Sequence, residues 1–339
     1  MWLNKRNSLI LNNLIKIYIS THKPVSSSQL AKNSQLSSPT IRKELQKLES
    51  HGYIFKPTSS SGRIPTNRGL KFYLRELMNN LELRDKNFNL PEIKDLNFKT
   101  ISEDFLSLLS EKTSHIGFIF LNSLFNLNFK KINLIKIGSH KVMIIILSLY
   151  NCTFSKIFTT TENYPEIELM KWQSIINKEF KGKTLNNTFK IIRNKLFKQK
   201  EKYRKIYRGF CSLLCNENLI TTELIFKGEL NILNSDLINS YKIKKALETL
   251  EDKVRLSKFL NDIFENNKKT PNFIFGSDTG ISEFEDLILI FSNFYYVKNQ
   301  IGNIGIIGPK FMPFSNTISK VECYSSYFSR ILSKKPMEV

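Results

Sequence analysis

Ser37-Ser38-Pro39-Thr40-Ile41-Arg42-Lys43-Glu44-Leu45-Gln46-Lys47-Leu48-Glu49-Ser50-His51-Gly52 is the stretch on which the fold turns. Ser38-Pro39 is a strong helix start, because serine supplies an N-cap oxygen and proline is pre-set for the first helical position. Gly52 is a natural C-terminal stop. At helical spacing, Ile41, Leu45 and Leu48 share one face, Lys43, Gln46, Lys47 and Ser50 lie opposite, and Thr40 and Arg42 flank them. One stripe is apolar and the other is basic and rich in hydrogen-bonding groups. Such side chains reach base edges and phosphates in a DNA major groove. Taken alone, the same stripe also describes an ordinary solvated helix face.

The flanking sequence decides between the two readings. Downstream, Tyr53-Ile54-Phe55-Lys56 reads as a strand, Pro57 to Gly62 as a turn, and Arg63-Ile64-Pro65-Thr66 as a returning strand. Upstream, Leu11, Leu14, Ile15, Tyr18 and Ile19 repeat at helical spacing. Pro24 stops that helix, and Ser26 or Ser27 caps a short one carrying Leu30 and Ala31. Three helices followed by a hairpin are the order of a winged helix-turn-helix domain, expected over residues 1–80. The expected DNA-binding set is Ser38, Thr40, Arg42, Lys43, Gln46 and Lys47 from the third helix. Arg63 joins it from the wing, where it would touch phosphate or enter the minor groove. Arg42 or Lys43 is the choice for a guanine edge.

Charge supports a nucleic-acid partner. The 339 residues hold 51 Lys and Arg against 30 Asp and Glu. Residues 1–80 carry 13 of the cations against 3 glutamates, and residues 178–208 carry 12 against 2. The rest of the chain is nearly balanced, so the excess is concentrated, as counterion-releasing contact with a polyanion requires. A composition biased towards Lys, Asn and Ile would spread it instead. The start of the chain does not read as a signal peptide, and the longest clean apolar run, Val142 to Leu147, is far too short to span a bilayer. A cytoplasmic protein with four reduced cysteines and no membrane partner is expected.

Beyond residue 80 the pattern changes. A polar linker is expected over 81–98. Candidate strands follow at 116–121, 131–137, 142–150, 154–160, 224–227, 273–275, 288–298 and 304–307, with helices near 165–180, 237–266 and 314–334. The expected class is α+β. Cys211 and Cys215 lack further metal ligands at useful spacing. His22, His51, His115 and His140 are scattered, and Gly302, Gly305 and Gly308 do not make a phosphate-binding fingerprint and read as hairpin glycines. No catalytic constellation, metal or cofactor is expected, which leaves a nucleic-acid-processing enzyme without its chemistry. A small-molecule sensor in the second domain and a sequence-indifferent coating protein stay open as alternatives.

Several stretches carry a family resemblance: Tyr18-Ile19 with Lys23-Pro24-Val25; Ser37 to Arg42; Leu48 to Ile54; Pro57 to Thr66, with its Gly-Arg-Ile-Pro-Thr string; and Gly302-Asn303-Ile304-Gly305-Ile306-Ile307-Gly308-Pro309 followed by Met312. Together they resemble the heat-inducible transcription repressors of the HrcA family. The resemblance implies a winged helix, a GAF-like domain and a helical dimerisation insertion. It further implies binding as a homodimer to the CIRCE inverted repeat upstream of chaperone operons. Assistance would come from the chaperonin GroEL, whose occupation under stress relieves repression. The expected partition is 1–80, linker 81–98, GAF-like 99–182 and 234–339, and insertion 183–233. Within the insertion, Phe189, Ile192, Leu196, Tyr203 and Ile206 fall on a heptad seam and are the expected dimer contacts, with the basic outer face as a weaker candidate for DNA. The chain departs from the family at Ser26-Ser27-Ser28, where a glycine and a basic residue are usual, at Thr58 for a wing histidine, and at Phe311 for an arginine.

Overall fold

The computed structural model describes residues 3–32, 34, 36–59, 61–80, 98–121, 128–148, 153–160, 162–184, 187–188, 191, 224–234, 238–266, 271–296 and 299–334. Helix α1 (Lys5–Thr21) is capped by Asn4, whose side chain accepts the Asn7 N–H, and it buries Ile10, Leu11, Leu14 and Ile15. Helix α2 (Ser27–Lys32) opens with a reciprocal capping box. Gln29 N–H donates to Ser26 Oγ at 3.2 Å, and Ser26 N–H donates to Gln29 Oε1 at 2.8 Å. Helix α3 (Ser38–Ser50) buries Ile41, Leu45 and Leu48. Its cap is Ser37 rather than Ser38. Ser37 keeps the extended backbone a cap needs and accepts the Thr40 N–H at 3.4 Å, whereas Ser38 is already helical.

Strands β1 (Ile54–Phe55) and β2 (Ile64–Pro65) pair antiparallel as the hairpin. The turn-side end of β2 is tied back to the first loop, where Val25 and Arg63 exchange backbone hydrogen bonds of 2.9 and 2.8 Å. Helix α4 (Asn67–Asn79), capped by Thr66, then packs on the hairpin. It comes so close that a Cβ on Gly69 would sit 2.2 Å from the Tyr53 carbonyl oxygen, which explains a glycine in the first turn of a helix.

The second unit is a five-stranded antiparallel sheet. Its strands are β3 (Ile116–Leu121), β7 (Leu224–Lys227), β8 (Asn272–Phe275), β9 (Leu287–Tyr296) and β10 (Asn299–Pro309), in the order β7-β3-β10-β9-β8. Helices α5 (Phe98–Thr113) and α9 (Phe314–Lys334) cover one face. Helices α7 (Ser240–Glu251) and α8 (Lys253–Asn266) cover the other. Strand β9 shows the logic: Ile288, Ile290 and Phe294 enter one core while Leu287, Leu289 and Phe291 enter the other. A strand buried on both faces reads as a continuous apolar run rather than an alternation. Phe98 is a correction to the expected linker. It opens α5 and is 2% exposed. Gly302, Gly305 and Gly308 lie along β10, the second strand of the β9–β10 hairpin, rather than in its turn. At Gly305 a Cβ would come within 2.3 Å of the Ile290 carbonyl oxygen on β9.

The strands beyond residue 115 fall into two sheets. Strands β4 (Phe129–Gly138), β5 (Lys141–Ser148) and β6 (Thr153–Thr159), expected in the main domain, form their own sheet with α6 (Glu166–Phe180) against it. Strand β7 and the 3-10 helix at Glu229–Asn234 fall at least partly within the expected insertion, yet β7 belongs to the main sheet. The reason is topological. β3 pairs directly with β7, Phe118 opposite Phe226, so the described elements between them make an excursion from the main sheet. Phe189, Ile192, Leu196, Tyr203 and Ile206 lie outside the described residues.

The two units touch. Tyr18 of α1 meets Phe311 edge-on at 4.8 Å, Lys71 of α4 pairs with Asp278 at 2.7 Å, and Asn67 Nδ2 donates to Ser277 Oγ at 3.0 Å. Phe311, the departure from the family arginine, thus packs against the N-terminal unit.

His115, immediately before β3, carries a largely buried imidazole. A Cβ on Gly308 would be 2.9 Å from its ring. Burial lowers its pKa from the ordinary 6.5 to about 4, opposed by a backbone hydrogen bond at Ser114 and aided by the charge of Lys320. Below pH 6.5 the unfolded chain binds this proton and the folded chain does not. The stability of burying the neutral ring is therefore complete above 6.5 and is lost as pH falls towards 4. The loss expected from this one group is about 3 kcal/mol. Urea unfolding at pH 7 and 4.5 tests it: over that interval His115→Asn should lose less stability than wild type by about 2 kcal/mol, and parallel losses would refute the assignment.

Candidate nucleic-acid interface

With Ile41, Leu45 and Leu48 buried against α1 and α2, the opposite stripe of α3 faces outward. Arg42, Lys43, Gln46 and Lys47 are exposed, and Ser38 and Thr40 at the start of the helix are half-buried. The structure therefore brings six of the seven expected residues onto one continuous surface. Their local partners differ. Thr40 Oγ1 bonds Ser37 Oγ at 2.8 Å. Arg42 Nε donates to Ser27 Oγ at 3.3 Å, and Ser27 Oγ lies 3.1 Å from Ser38 Oγ. Lys47 Nζ pairs with Glu44 at 3.2 Å. Glu44 is itself buried, an acidic group one turn before Lys47 that fixes where that cation stands.

Arg63 is placed differently from the sequence expectation. It sits at the turn-side end of β2, in register with Lys56, its side chain only 16% exposed and paired with Glu49 at 3.4 Å. Its position follows from the Val25–Arg63 backbone pairing, which anchors the residue against the α1–α2 loop. The cation opposite it on the hairpin is Lys56, whose Nζ donates to the Ser59 carbonyl across the turn. Its sequence signal was a lysine leading into a Pro-Thr-Ser-Ser-Ser-Gly turn, overshadowed by the more specific Gly-Arg-Ile-Pro-Thr string. Around Thr58 the turn is closed by Ser61, which takes the Thr58 N–H at 3.0 Å and donates to its carbonyl at 2.8 Å. Arg68, beyond the expected set, lies over the Tyr53 ring at 4.8 Å beside the hairpin.

Among the described residues no three His, Cys, Asp or Glu side chains come together as a metal site, and no helix is long and apolar enough to cross a membrane. A winged helix with an exposed basic stripe, carried on a larger α+β body, defines a DNA-binding transcription regulator. The family can be named from the body. Residues 99–318 match the HrcA protein C terminal domain family, and the chain belongs to the HrcA family of transcription repressors. It is 26% identical over 347 residues to the heat-inducible transcription repressor HrcA of Syntrophobacter fumaroxidans, covering 98% of each chain. It is 27% identical over 340 residues to the one of Thermoanaerobacter pseudethanolicus, again covering 98% of each. In fold it is similar to a crystal structure of a hypothetical protein at 2.2 Å resolution. That likeness has a TM-score of 0.64 and 21% identity, and it covers 98% of this chain and 99% of the other. The function that follows is transcriptional repression of a heat-inducible kind rather than catalysis.

Proposed function

We propose that this repressor acts as a homodimer that binds a CIRCE-type inverted repeat upstream of chaperone operons, and that heat relieves it through loss of assistance from the chaperonin GroEL. The observation that carries the DNA-binding part is the outward stripe of α3, with Arg42, Lys43, Gln46 and Lys47 exposed on the face opposite its buried leucines. Ser38 and Thr40 flank that stripe. Two copies related by a two-fold axis present two such helices to successive major-groove faces, which is why the operator is an inverted repeat. Arg63 serves by bracing the wing through Glu49, and Lys56 reaches the backbone in its place. A gel-shift titration at fixed salt, with an inverted-repeat duplex against a scrambled one, tests the reading. Preference by a factor of about 10³ or more is expected, with tighter binding when GroEL is added. Equal, weak binding of both duplexes would overturn it.

The main sheet is read as GAF-like. With the excursion left out, its five strands run in the antiparallel order 2-1-5-4-3 with helices on both faces. The proposed domains are then a winged helix at 1–80, a GAF-like body at 98–121 and 224–334, and a dimerising excursion at 122–223. An apolar sheet face supports the last of these. Ile135, Met143 and Ile157 align across β4, β5 and β6, and Ile135 and Ile157 stay 45% and 52% exposed. Such a row in water marks a contact surface. Ile135→Asp with Ile157→Asp is expected to convert dimer to monomer in sedimentation velocity; an unchanged dimer would move the interface elsewhere, with the heptad seam from Phe189 to Ile206 first in line.

A further inference from the structure

A guanidinium carries five N–H donors in a rigid fork, and a long exposed arginine loses rotamer freedom when it is ordered on a partner. Arg42 is already held. Its Nε–H donates to Ser27 Oγ at 3.3 Å, from α3 across to α2. Ser27 is buried although polar, and its Oγ also lies 3.1 Å from Ser38 Oγ. A serine hydroxyl has two lone pairs and one proton, so it accepts from Arg42 and still bonds Ser38 whichever of the two hydroxyls donates. Ser38 and Arg42 are one helical turn apart on the same side of α3, and Ser27 bridges them. The neighbouring serines do other work: Ser26 caps α2, and Ser28 bonds Ser26 at 2.9 Å. With Nε occupied, the Nη1 and Nη2 end of the fork is left to face outward. That pair of donors matches the two acceptors on the major-groove edge of guanine.

We propose that Ser27 is a positioning residue for Arg42, so that α2 as well as α3 sets which base is read. The proposal deepens the reading of α3 as the DNA-reading helix and rests on it. The test compares wild type, Ser27→Ala, Ser27→Thr, Arg42→Ala and the Ser27→Ala/Arg42→Ala double variant. Each is titrated against a CIRCE-type duplex and its single-base substitutions, below the melting midpoint of every variant. Ser27→Ala is expected to lose about 3- to 10-fold of the discrimination at the same base step at which Arg42→Ala loses it. Ser27→Thr, which keeps the hydroxyl, restores it, and Ser27→Ala adds nothing once Arg42 is gone. A wild-type base profile in Ser27→Ala, a loss spread evenly over all bases, or an equal further loss in the Arg42→Ala background would each overturn the positioning role. A wild type that binds operator and scrambled duplex alike would instead overturn the reading of α3, and the proposal with it.

Discussion

Phe264→Ala is expected to lower the unfolding free energy by about 3–5 kcal/mol, at the upper end for a buried aromatic. Phe264 lies in α8 and is 4% exposed. Its ring meets Phe291 at 4.6 Å, Phe120 at 5.0 Å and Phe118 at 6.1 Å. Those partners come from β9 and β3, the two strands that flank β10. Between them in register stands Gly305, paired with Phe118 on one side and Phe291 on the other. The glycine contributes no side chain to that face, and the phenylalanine packs on the aromatic residues to either side of it. Truncating Phe264 therefore opens a void with nothing on β10 to close it, and collapse of the site is limited. The melting midpoint of the body should fall by roughly 10 °C, and repression should fail at a correspondingly lower temperature, while operator affinity measured well below the midpoint stays as in wild type. Phe264→Leu, which refills part of the volume, should recover more than half of the loss. A change under about 1 kcal/mol in Phe264→Ala would mean that the cluster does not carry the packing of this face.

The parts of the molecule legible in the sequence are those whose signals are local. The start, stripe and stop of α3 lie within sixteen consecutive residues, and eight strands of the body show themselves as apolar runs because both their faces or their inner face are covered. Pairing is another matter. Strands β3 and β7 are separated by more than a hundred residues, and neither apolar run carries a mark of its partner, since register is chosen by the whole sheet. That single unread pairing moved the boundary of the excursion. Helix α5 is not among the expected helices for a nearer reason: Phe98, Ile101, Phe105 and Leu109 are helically spaced, but the polar segment before them drew Phe98, the first of the four, into the expected linker. Arg63 and Phe311 are cases where the partner lies too far along the chain to be read from local sequence. The partner that turns Arg63 inward, Glu49, is fourteen positions away, and Phe311 finds Tyr18 at the other end of the chain.

Lys43→Ala is expected to cost about 1–3 kcal/mol per half-site if it reads a base, and thus about twice that for a two-fold dimer on a two-fold operator. Its surroundings single it out. Arg42 is held by Ser27, Thr40 by Ser37 and Lys47 by Glu44. Lys43 stands exposed on the same surface, and among the described residues no hydrogen bond or ion pair engages it. An unengaged ammonium breaks no contact within the protein when it meets DNA, so its removal reports the DNA contact alone, whereas a Lys47 variant would lose its contact and release Glu44 together. Two kinds of contact are separable by the form of the loss. If Lys43 lies on a guanine, Lys43→Ala loses affinity for the inverted repeat far more than for a duplex substituted at one symmetric base step, where the two proteins converge. If it lies on a phosphate, the loss is uniform over sequences and the salt dependence becomes shallower, by about 0.9 in the logarithmic slope for each charge removed. Full retention of both affinity and slope would remove Lys43 from the interface and leave the contact to Arg42, Gln46 and Lys47 on the same stripe.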